Sequence, residues 1–335
     1  MVLSKLLVLY TLSSLAMLAN SGPVAAEATA IRFGIQAGLI HLPFAIVQHD
    51  RLIEKHARQA GLGEIKVDWF HFAGGAALND AVLSDSVDFA ETGPPSLIIL
   101  WAKSGGKYKG LGAAGASPMV LVTRNAAVHS LKDFTEKDRI AVPAVKVSTQ
   151  AIILKIASEA AFGPGNQGKL DDLTVTLSHP DAVLAMSDSH GAIDSHFSTP
   201  PYLYMELAHP DVHAVLSAQD VLGVPFSNGI MFTSQEFHDK NPKIVAATIA
   251  ALQDALALIQ SDPQAAANIY LETSGDKSSP QVIADLLTKP GTSYAIEPQG
   301  MLRIAQFMRQ IGMINTKPAS WRDLFFVEAH AFSGS

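Results

Sequence analysis

The stretch from Gly74 to Ser96 constrains the fold of this chain more than any other. A Gly74-Gly75 turn opens it, and apolar residues at 78, 81 and 82 follow with the spacing of one helix face. Apolar residues at 87, 89 and 90 then suit a short buried strand. The segment therefore predicts a helix, a strand, a loop and a second helix, which is a unit of an α/β fold.

The loop of this unit, Thr92-Gly93-Pro94-Pro95-Ser96, has the composition of a ligand-binding loop. Its hydroxyls can form hydrogen bonds, and Gly93 allows the backbone to approach a ligand closely. The proline pair ends the strand and can begin a helix whose free N–H groups face outward. On an open α/β sheet, small molecules bind at this place.

The first 26 residues have the pattern of a secretory signal peptide. Lys5 precedes an apolar run from Leu6 to Leu18, and small residues precede Glu27. We expect cleavage after Ala26 and an exported protein, with a retained N-terminal anchor as the alternative. The chain has no cysteine, so it can carry neither a lipid-modified cysteine anchor nor a disulfide.

Size and charge limit the remaining possibilities. Removing 26 of 335 residues leaves 309, which is enough for two packed lobes. The removed segment contains Lys5 and no acidic residue, so the charge becomes 23 − 31 = −8, without long runs of one sign. Nucleic acid is therefore not an expected partner.

Predicted strands and helices alternate along the chain, which favours mostly parallel sheets flanked by helices. Strands are predicted at 31–35, 65–70, 87–90, 108–113, 119–123, 140–142, 173–177, 192–194 and 229–233. Helices are predicted from Pro43 toward Arg58, from the end of the Gly74 to Ser96 unit to Lys103, and at 149–161, 242–260, 263–273, 280–288 and 298–311. The late helices have no sheet of their own, so we expect them to cover the first lobe. The predicted division is residues 27–117 and 225–335 for lobe 1 and 118–224 for lobe 2, with hinges near 114–124 and 220–229.

Two segments of the chain echo each other. Asp80-Ala81-Val82-Leu83 leads to Asp88 and then to Pro94-Pro95, and Asp181-Ala182-Val183-Leu184 leads to Asp194 and then to Pro200-Pro201. In both, the proline pair follows the second aspartate by 6 and 7 positions (88 to 94, 194 to 200). The echo predicts two similar lobes, each with one ligand loop, and a coincidence between Ala-rich segments is the alternative.

Four loops share the pattern of a strand end, a polar turn and a helix start, namely 36–43, 91–96, 146–150 and 194–201. Helix N-termini in such loops favour an anionic or acceptor-rich ligand. Ser148 or Thr149 is the predicted N-cap of the following helix. The alternative is that these hydroxyls only cap their own helices. Phe72 and Phe197 are candidates for the apolar surface of a binding cleft.

The 12 histidines raise the question of a metal, because His41, His71 and His196 lie near the predicted loops. Zinc needs three or four ligands in fixed geometry, and the chain has no cysteine to supply a cluster. We therefore expect neither a metal nor a cofactor. Gly-x-Ser-x-Gly and phosphate-binding Gly-Lys-Ser/Thr motifs are absent, although a Ser-His-Asp set assembled in space stays open.

These motifs, in this order and spacing, resemble a known family, the periplasmic solute-binding proteins of ABC importers for nitrate, taurine and sulfonates, which also includes thiamine-pyrimidine binders. The likeness covers nearly all of residues 31–315. The residues that carry it are Ile31-Arg32-Phe33-Gly34, Phe72-Ala73-Gly74-Gly75, Asp85-Ser86-Val87-Asp88-Phe89-Ala90 with Pro94-Pro95-Ser96, Ser148-Thr149-Gln150, and Gly191-Ala192-Ile193-Asp194.

The resemblance implies a two-lobed α/β fold of the type II periplasmic binding class, with a mixed, mostly parallel sheet in each lobe and two crossover strands as a hinge. It also implies a monomer that closes around one small solute and delivers it to a membrane permease and its ATPase, without bond chemistry. On the family's pattern the ligand contacts fall on Gly38, Leu39, His41, Phe72, Thr92, Gly93, Pro94, Ser117, Ser148, Thr149, Asp194, His196 and Phe197.

None of these positions is Arg or Lys, so the cation that would mark a sulfonate or nitrate pocket is not visible, although helix N-termini can substitute for it. The aromatic and histidine content leaves room for a heteroaromatic or carboxylate ligand. Two alternatives to import remain. One is an exported ligand sensor of the same fold, and the other is a pyrimidine-synthesis enzyme of that fold, which would call for a Cys-rich iron motif.

Overall fold

The computed structural model describes residues 26–188 and 191–335. The predicted signal peptide lies outside the described residues, apart from Ala26. The strands are β1 (Ala30–Gln36), β2 (Lys66–Phe72), β3 (Phe89–Thr92), β4 (Tyr108–Gly115), β5 (Val120–Thr123), β6 (Ile140–Val142), β7 (Thr174–Thr176), β8 (Ser195–Ser198), β9 (His213–Ser217) and β10 (Gly229–Ser234).

Helices flank these strands throughout the described residues. They are α1 (Leu42–His49), α2 (Leu52–Gln59), α3 (Gly75–Leu83), α4 (Pro94–Ser104), α5 (Thr149–Phe162), α6 (His179–Ser187), α7 (Tyr202–Leu207), α8 (Ala218–Leu222), α9 (Gln235–Lys240), α10 (Pro242–Ser261), α11 (Pro263–Ser274), α12 (Pro280–Leu287) and α13 (Met301–Gln310).

The described strands form two five-stranded sheets with the same topology. The first has the order β2-β1-β3-β10-β4, and the second has the order β7-β6-β8-β5-β9. In each sheet the first three strands are parallel, and the fourth pairs antiparallel with both of its neighbours. Each sheet therefore has one reversed strand, β10 or β5. This confirms the predicted two-lobed, mostly parallel α/β architecture.

The late helices cover the first sheet, as the sequence predicts. Ile244, Leu252 and Ile283 belong to the same buried apolar cluster as Phe33 of β1. Helix α10 is long and apolar enough to cross a membrane by composition alone, with a mean hydropathy of 1.5. More than half of that stretch is buried, and the helix packs against α1, α2 and α11. It is therefore a core helix of lobe 1.

Two predicted elements differ from the structure. The helix predicted from Pro43 to Arg58 is two helices, because Arg51 has a left-handed φ of 51° that interrupts the helical backbone. The strand predicted at 192–194 lies at Ser195–Ser198, so Asp194 precedes the strand instead of ending it. The short elements β9, α7, α8 and α9 were not predicted.

The sequence echo corresponds to a repeated structure. The two Asp-Ala-Val-Leu segments lie in α3 and α6, and the two proline pairs follow β3 and β8. Asp88 accepts a hydrogen bond from the Arg32 backbone at 2.7 Å, and Asp194 accepts one from the Arg139 backbone at 3.0 Å. Both aspartates thus join the amino ends of neighbouring strands. The two similar lobes that the echo predicts are present, and the echoing segments occupy equivalent places in them.

Candidate functional site

A cavity of about 320 Å³ lies between the two sheets, within the range of small-molecule sites. It is lined by the loops that follow β1, β2 and β3 in the first sheet and β6, β7 and β8 in the second. Met119 and Asn228, which precede the reversed strands β5 and β10, also line it. The cavity is therefore built from the same six loop positions, three from each lobe, as the equal topologies require.

Four of these six loops were predicted from the sequence, namely 36–43, 91–96, 146–150 and 194–201, and residues from all four line the cavity. Six predicted ligand residues lie on its surface: His41, Phe72, Thr92, Gly93, Ser148 and Thr149. Ser148 caps α5 by accepting a hydrogen bond from the Ala151 backbone at 3.3 Å, so it has the capping role as well.

The two lobes contact each other around the cavity. Across the lobes, the Leu39 backbone N–H donates to the Pro200 carbonyl at 3.2 Å, and within lobe 1 the Tyr294 hydroxyl donates to the Leu39 carbonyl at 2.9 Å. A Cβ atom at Gly93 would overlap the hydroxyl of Thr149 in the facing lobe. Leu39 therefore joins the lobes and does not line the cavity, and Gly93 is a place where only a glycine permits this approach.

Gly38 and Pro94 lie beside the cavity without lining it. Gly38 has a φ of 132°, and it faces a neighbouring pocket of about 490 Å³ that also contacts Tyr202 and Tyr270. Burial raises the pKa of Tyr202 to about 12, so its hydroxyl stays neutral. Pro94 is the buried first residue of α4.

Ser117 is buried because it is bound by Asn228. The Ser117 backbone N–H donates to Asn228 Oδ1 at 3.1 Å, and Asn228 Nδ2 donates to the Ser117 carbonyl at 3.1 Å. Ser117 lies in the segment that leaves the first sheet, and Asn228 in the segment that returns to it. This pair, the crossover clasp, joins the two connections between the lobes and leaves Asn228, not Ser117, on the cavity surface.

Asp194 does not line the cavity. It lies at the amino end of β8, whereas the cavity lies at the carboxyl ends of the strands. Its carboxylate accepts from the Arg139 backbone and from the Ser195 hydroxyl at 2.7 Å. Burial raises the pKa of Asp194 above its ordinary value, although these hydrogen bonds oppose the shift. The strand begins three residues later than predicted, at 195 instead of 192, which explains the misplacement.

His196 and Phe197 are wholly buried inside β8 and do not line the cavity either. Phe197 packs in the apolar cluster that includes Leu121 and Ile152. His196 Nδ1 contacts Glu206 Oε1 at 2.7 Å, and His196 Nε2 contacts His179 Nδ1 at 2.8 Å. His196 therefore reaches the cavity only through His179.

His179 is on the cavity surface, at the start of α6. Its Nε2 lies 3.2 Å from Nε2 of Gln150, another lining residue. Burial, together with the imidazoles of His196 and His41, lowers the pKa of His179 well below its ordinary value. The chain Gln150, His179, His196 and Glu206, the histidine relay, thus presents a neutral imidazole to the cavity.

In lobe 1, too, a histidine on the cavity surface is paired with a buried carboxylate. His41 Nδ1 hydrogen-bonds to Oε2 of Glu91, whose side chain is wholly buried in β3. The cavity therefore has a buried carboxylate behind a histidine on each side, Glu91 in lobe 1 and Glu206 in lobe 2.

The sequence did not single out His179 or Asn228. The signal for His179 was the echo itself, because α3 and α6 are equivalent and the start of α3, at Gly75, also lines the cavity. The role of Asn228 depends on a contact across 111 positions of sequence, which no local pattern reveals.

Within residues 26–188 and 191–335, no group of three or more histidine, aspartate or glutamate side chains is arranged to hold a metal ion. A surface pocket near Asp194 is lined by three histidines that form no such group, namely His129, His209 and His213. His213 Nε2 instead contacts the Val128 carbonyl at 2.7 Å.

No family model matches the sequence, and no curated protein sequence matches it either. Solved structures do match, and the fold is that of the periplasmic binding proteins. The chain is similar to the alkanesulfonate-binding protein SsuA from Xanthomonas axonopodis pv. citri, bound to MOPS, with a TM-score of 0.68 and 18% identity over 93% of this chain and 100% of that one.

Two further structures are similar. The aliphatic sulphonate binding protein SsuA from Escherichia coli has a TM-score of 0.64 and 20% identity, covering 89% of this chain and 99% of that one. The nitrate-binding protein NrtA from Synechocystis PCC 6803 has a TM-score of 0.67 and 15% identity, covering 92% of this chain and 86% of that one. The resemblance drawn from the sequence is thereby confirmed at the level of the fold.

Proposed function

We propose that this protein is the solute-binding component of an ABC importer. In this role it is exported, loses residues 1–26, and works in the periplasm as a monomer that passes one small solute to a membrane permease and its ATPase. The observation that carries the proposal is the cavity, because three loops from each of two equivalent lobes surround it and, within the described residues, two crossovers connect those lobes. The similar structures support it, since they are binding proteins for sulfonates and nitrate.

The arrangement suits capture and release. A solute that contacts Thr92 of lobe 1 and Thr149 of lobe 2 stabilises the closed arrangement over an open one by its contacts to both lobes. The crossover clasp lies at the base of this movement. The cavity also has an apolar side, to which Phe72 and Met119 contribute, so it fits a solute with both polar and apolar parts.

The proposal is tested by titrating the mature chain, residues 27–335, with alkanesulfonates, taurine, nitrate, pyrimidines, aromatic acids and small amines. A solute at 100 times its Kd adds about 2.7 kcal/mol to the free energy of unfolding, which raises the Tm. Small-angle scattering should show compaction on binding, and mass spectrometry should recover the solute unchanged. Thr149→Ala should weaken binding, whereas Asp172→Asn, an exposed position that does not line the cavity, should not.

Absence of a Tm shift with every solute of the panel would contradict the proposal. Chemical conversion of a bound solute would show an enzyme instead.

A further inference from the structure

We infer that the solute carries a positive charge on an N–H-bearing group, as an alkylammonium, amidinium or guanidinium ion does. This rests on the proposed solute-binding role and names the class of solute. It differs from the sulfonate and nitrate that the similar structures bind, and from the anionic ligand that helix N-termini alone would favour. Three independent observations support it.

The first observation is the balance of charge. No Arg or Lys lines the cavity, whereas the carboxylate of Asp181 does. Glu91 and Glu206 lie behind His41 and His196 and are buried. Each of these two carboxylates is paired with a histidine, so Asp181 is the acidic residue that lines the cavity itself. An anion entering this site would meet no Arg or Lys side chain on the cavity surface, and a cation would meet Asp181.

The second observation is the position of the protons in the histidine relay. An amide nitrogen donates and does not accept, so Gln150 Nε2 donates to His179 Nε2. The proton of the neutral His179 ring is then on Nδ1 and is donated to His196 Nε2. His196 in turn donates from Nδ1 to Glu206. The relay therefore has one direction, toward the buried carboxylate of Glu206 and away from the cavity.

The side-chain amides on the cavity surface also donate hydrogen bonds to other protein atoms. Gln36 Nε2 donates to the Glu91 carbonyl at 3.4 Å and to the Thr92 hydroxyl at 3.3 Å. Gln150 Nε2 donates to His179, and Asn228 Nδ2 donates to Ser117. Each amide nitrogen thus has at least one partner within the protein, and the carbonyl oxygens of Gln36 and Gln150 can accept from a solute. Hydroxyls such as that of Thr149 can donate or accept, so they do not select a charge.

The third observation comes from the repeat. In lobe 1 Gly34 pairs with Ala90, and in lobe 2 Ala141 pairs with His196. Ala90 and His196 are therefore equivalent positions in the two lobes. The residues that follow them, Glu91 and Phe197, are equivalent as well. Both residues are wholly buried. The fold accepts an apolar side chain here in lobe 2, so it does not require a carboxylate in lobe 1. Glu91 Oε1 also has no hydrogen-bond partner within the described residues. A buried carboxylate is costly unless it is compensated. His41 lies between Glu91 and the cavity, so a cationic solute beside His41 would add to that compensation without contacting Glu91.

The experiment uses pairs of probes that share a shape and differ in charge. These are guanidinium and nitrate, acetamidinium and acetate, and benzamidinium and benzoate, each titrated calorimetrically into the mature chain. We expect at least one cation to bind about tenfold or more tightly than its anionic match, the difference typical of one charge-assisted hydrogen bond. Equal or tighter binding of the anion in every pair, or binding of neither member, overturns the inference.

Glu91→Gln should reduce the preference for the cation, measured as the ratio of the two dissociation constants, by about tenfold or more. Asp181→Asn, at an exposed position on the cavity rim, should reduce it in the same direction while leaving the buried network intact. Asp172→Asn is the matched control and should leave the ratio unchanged. An unchanged ratio in both Glu91→Gln and Asp181→Asn contradicts the inference. If a sulfonate or a neutral pyrimidine binds instead, the class of solute is wrong while the solute-binding role stands.

Discussion

The two lobes share a backbone plan and differ in the side chains at equivalent positions of their strands. At the amino ends of the strands they agree, with Asp88 and Asp194 in the same hydrogen bonds to the neighbouring strand. In the next part of the strand they diverge, because lobe 1 has Glu91 at the position that Phe197 occupies in lobe 2. The comparison separates positions that maintain the fold from positions that set the chemistry of the site.

The largest expected effect tests that separation directly. Phe197→Ala should lower the free energy of unfolding by about 3–5 kcal/mol, because it leaves a cavity in a packed core. Glu91→Gln at the equivalent position should cost less, because it keeps the side-chain volume and removes a charge from a buried site. Urea denaturation of both variants measures this difference. A small effect of Phe197→Ala would mean that Phe197 is not a core residue.

Gly93→Ala should come next in size, because the new methyl group would overlap Thr149 across the cavity. Overlaps of this kind cost about 1–3 kcal/mol, so solute affinity should fall by about tenfold to a hundredfold while the Tm of the solute-free protein changes little. Scattering measurements should show that the variant does not compact when solute is added.

The control for Gly93 is the double variant Gly93→Ala with Thr149→Ala, compared with Thr149→Ala alone. Removing the Thr149 hydroxyl should restore compaction if the overlap is the cause. A double variant as impaired as Gly93→Ala would place the effect within lobe 1.

The smallest effect distinguishes the histidines of the two lobes by pH. His179 in lobe 2 has a lowered pKa, so as pH falls below about 6.5 the unfolded chain takes up a proton that the folded chain resists. Stability should then decrease by at most about 1.4 kcal/mol per pH unit. The groups around His179 are His196, His41, Gln150 and the stacked ring of Tyr202, with Glu206 beyond His196.

His49 in lobe 1 should behave in the opposite way. Its hydrogen bond to Asp50 raises its pKa, so its contribution is present in acid and is lost as pH rises through the raised value. That contribution should be small, because the side chain is partly exposed. Denaturation between pH 5 and 8 of His179→Asn and His49→Asn checks both signs. A pH dependence unaltered by His179→Asn would contradict the assignment of a neutral His179.

The sequence predicted the elements whose signals are local. Proline at a helix start, glycine in a turn and alternation of apolar residues identified most strands and four of the six cavity loops. The error at Asp194 had a specific cause, since a strand misplaced by a few residues exchanges its amino end for its carboxyl end. A residue predicted at the cavity end of the strand then lies at the opposite end, as Asp194 does, although its side chain is still hydrogen-bonded there.

Other parts of the site could not be predicted locally. His179 and His196 meet only because α6 packs beside β8, and Ser117 meets Asn228 only when the chain returns to the first sheet. The burial of Glu91 gave no sequence signal, because a glutamate in a strand ordinarily faces solvent. Such contacts depend on the assembled lobes and not on neighbours in the chain.

The crossover clasp has a mechanical consequence. Asn228 joins both connections and also lines the cavity, so the fulcrum of any lobe rotation would lie next to the cavity. Near a fulcrum atoms move little, and the arc travelled grows in proportion to distance from it. If the proposed function is correct, a small rotation of the lobes around the solute becomes a large displacement at their far surfaces. A membrane permease that contacts those surfaces can then distinguish the solute-bound from the solute-free protein without contacting the solute.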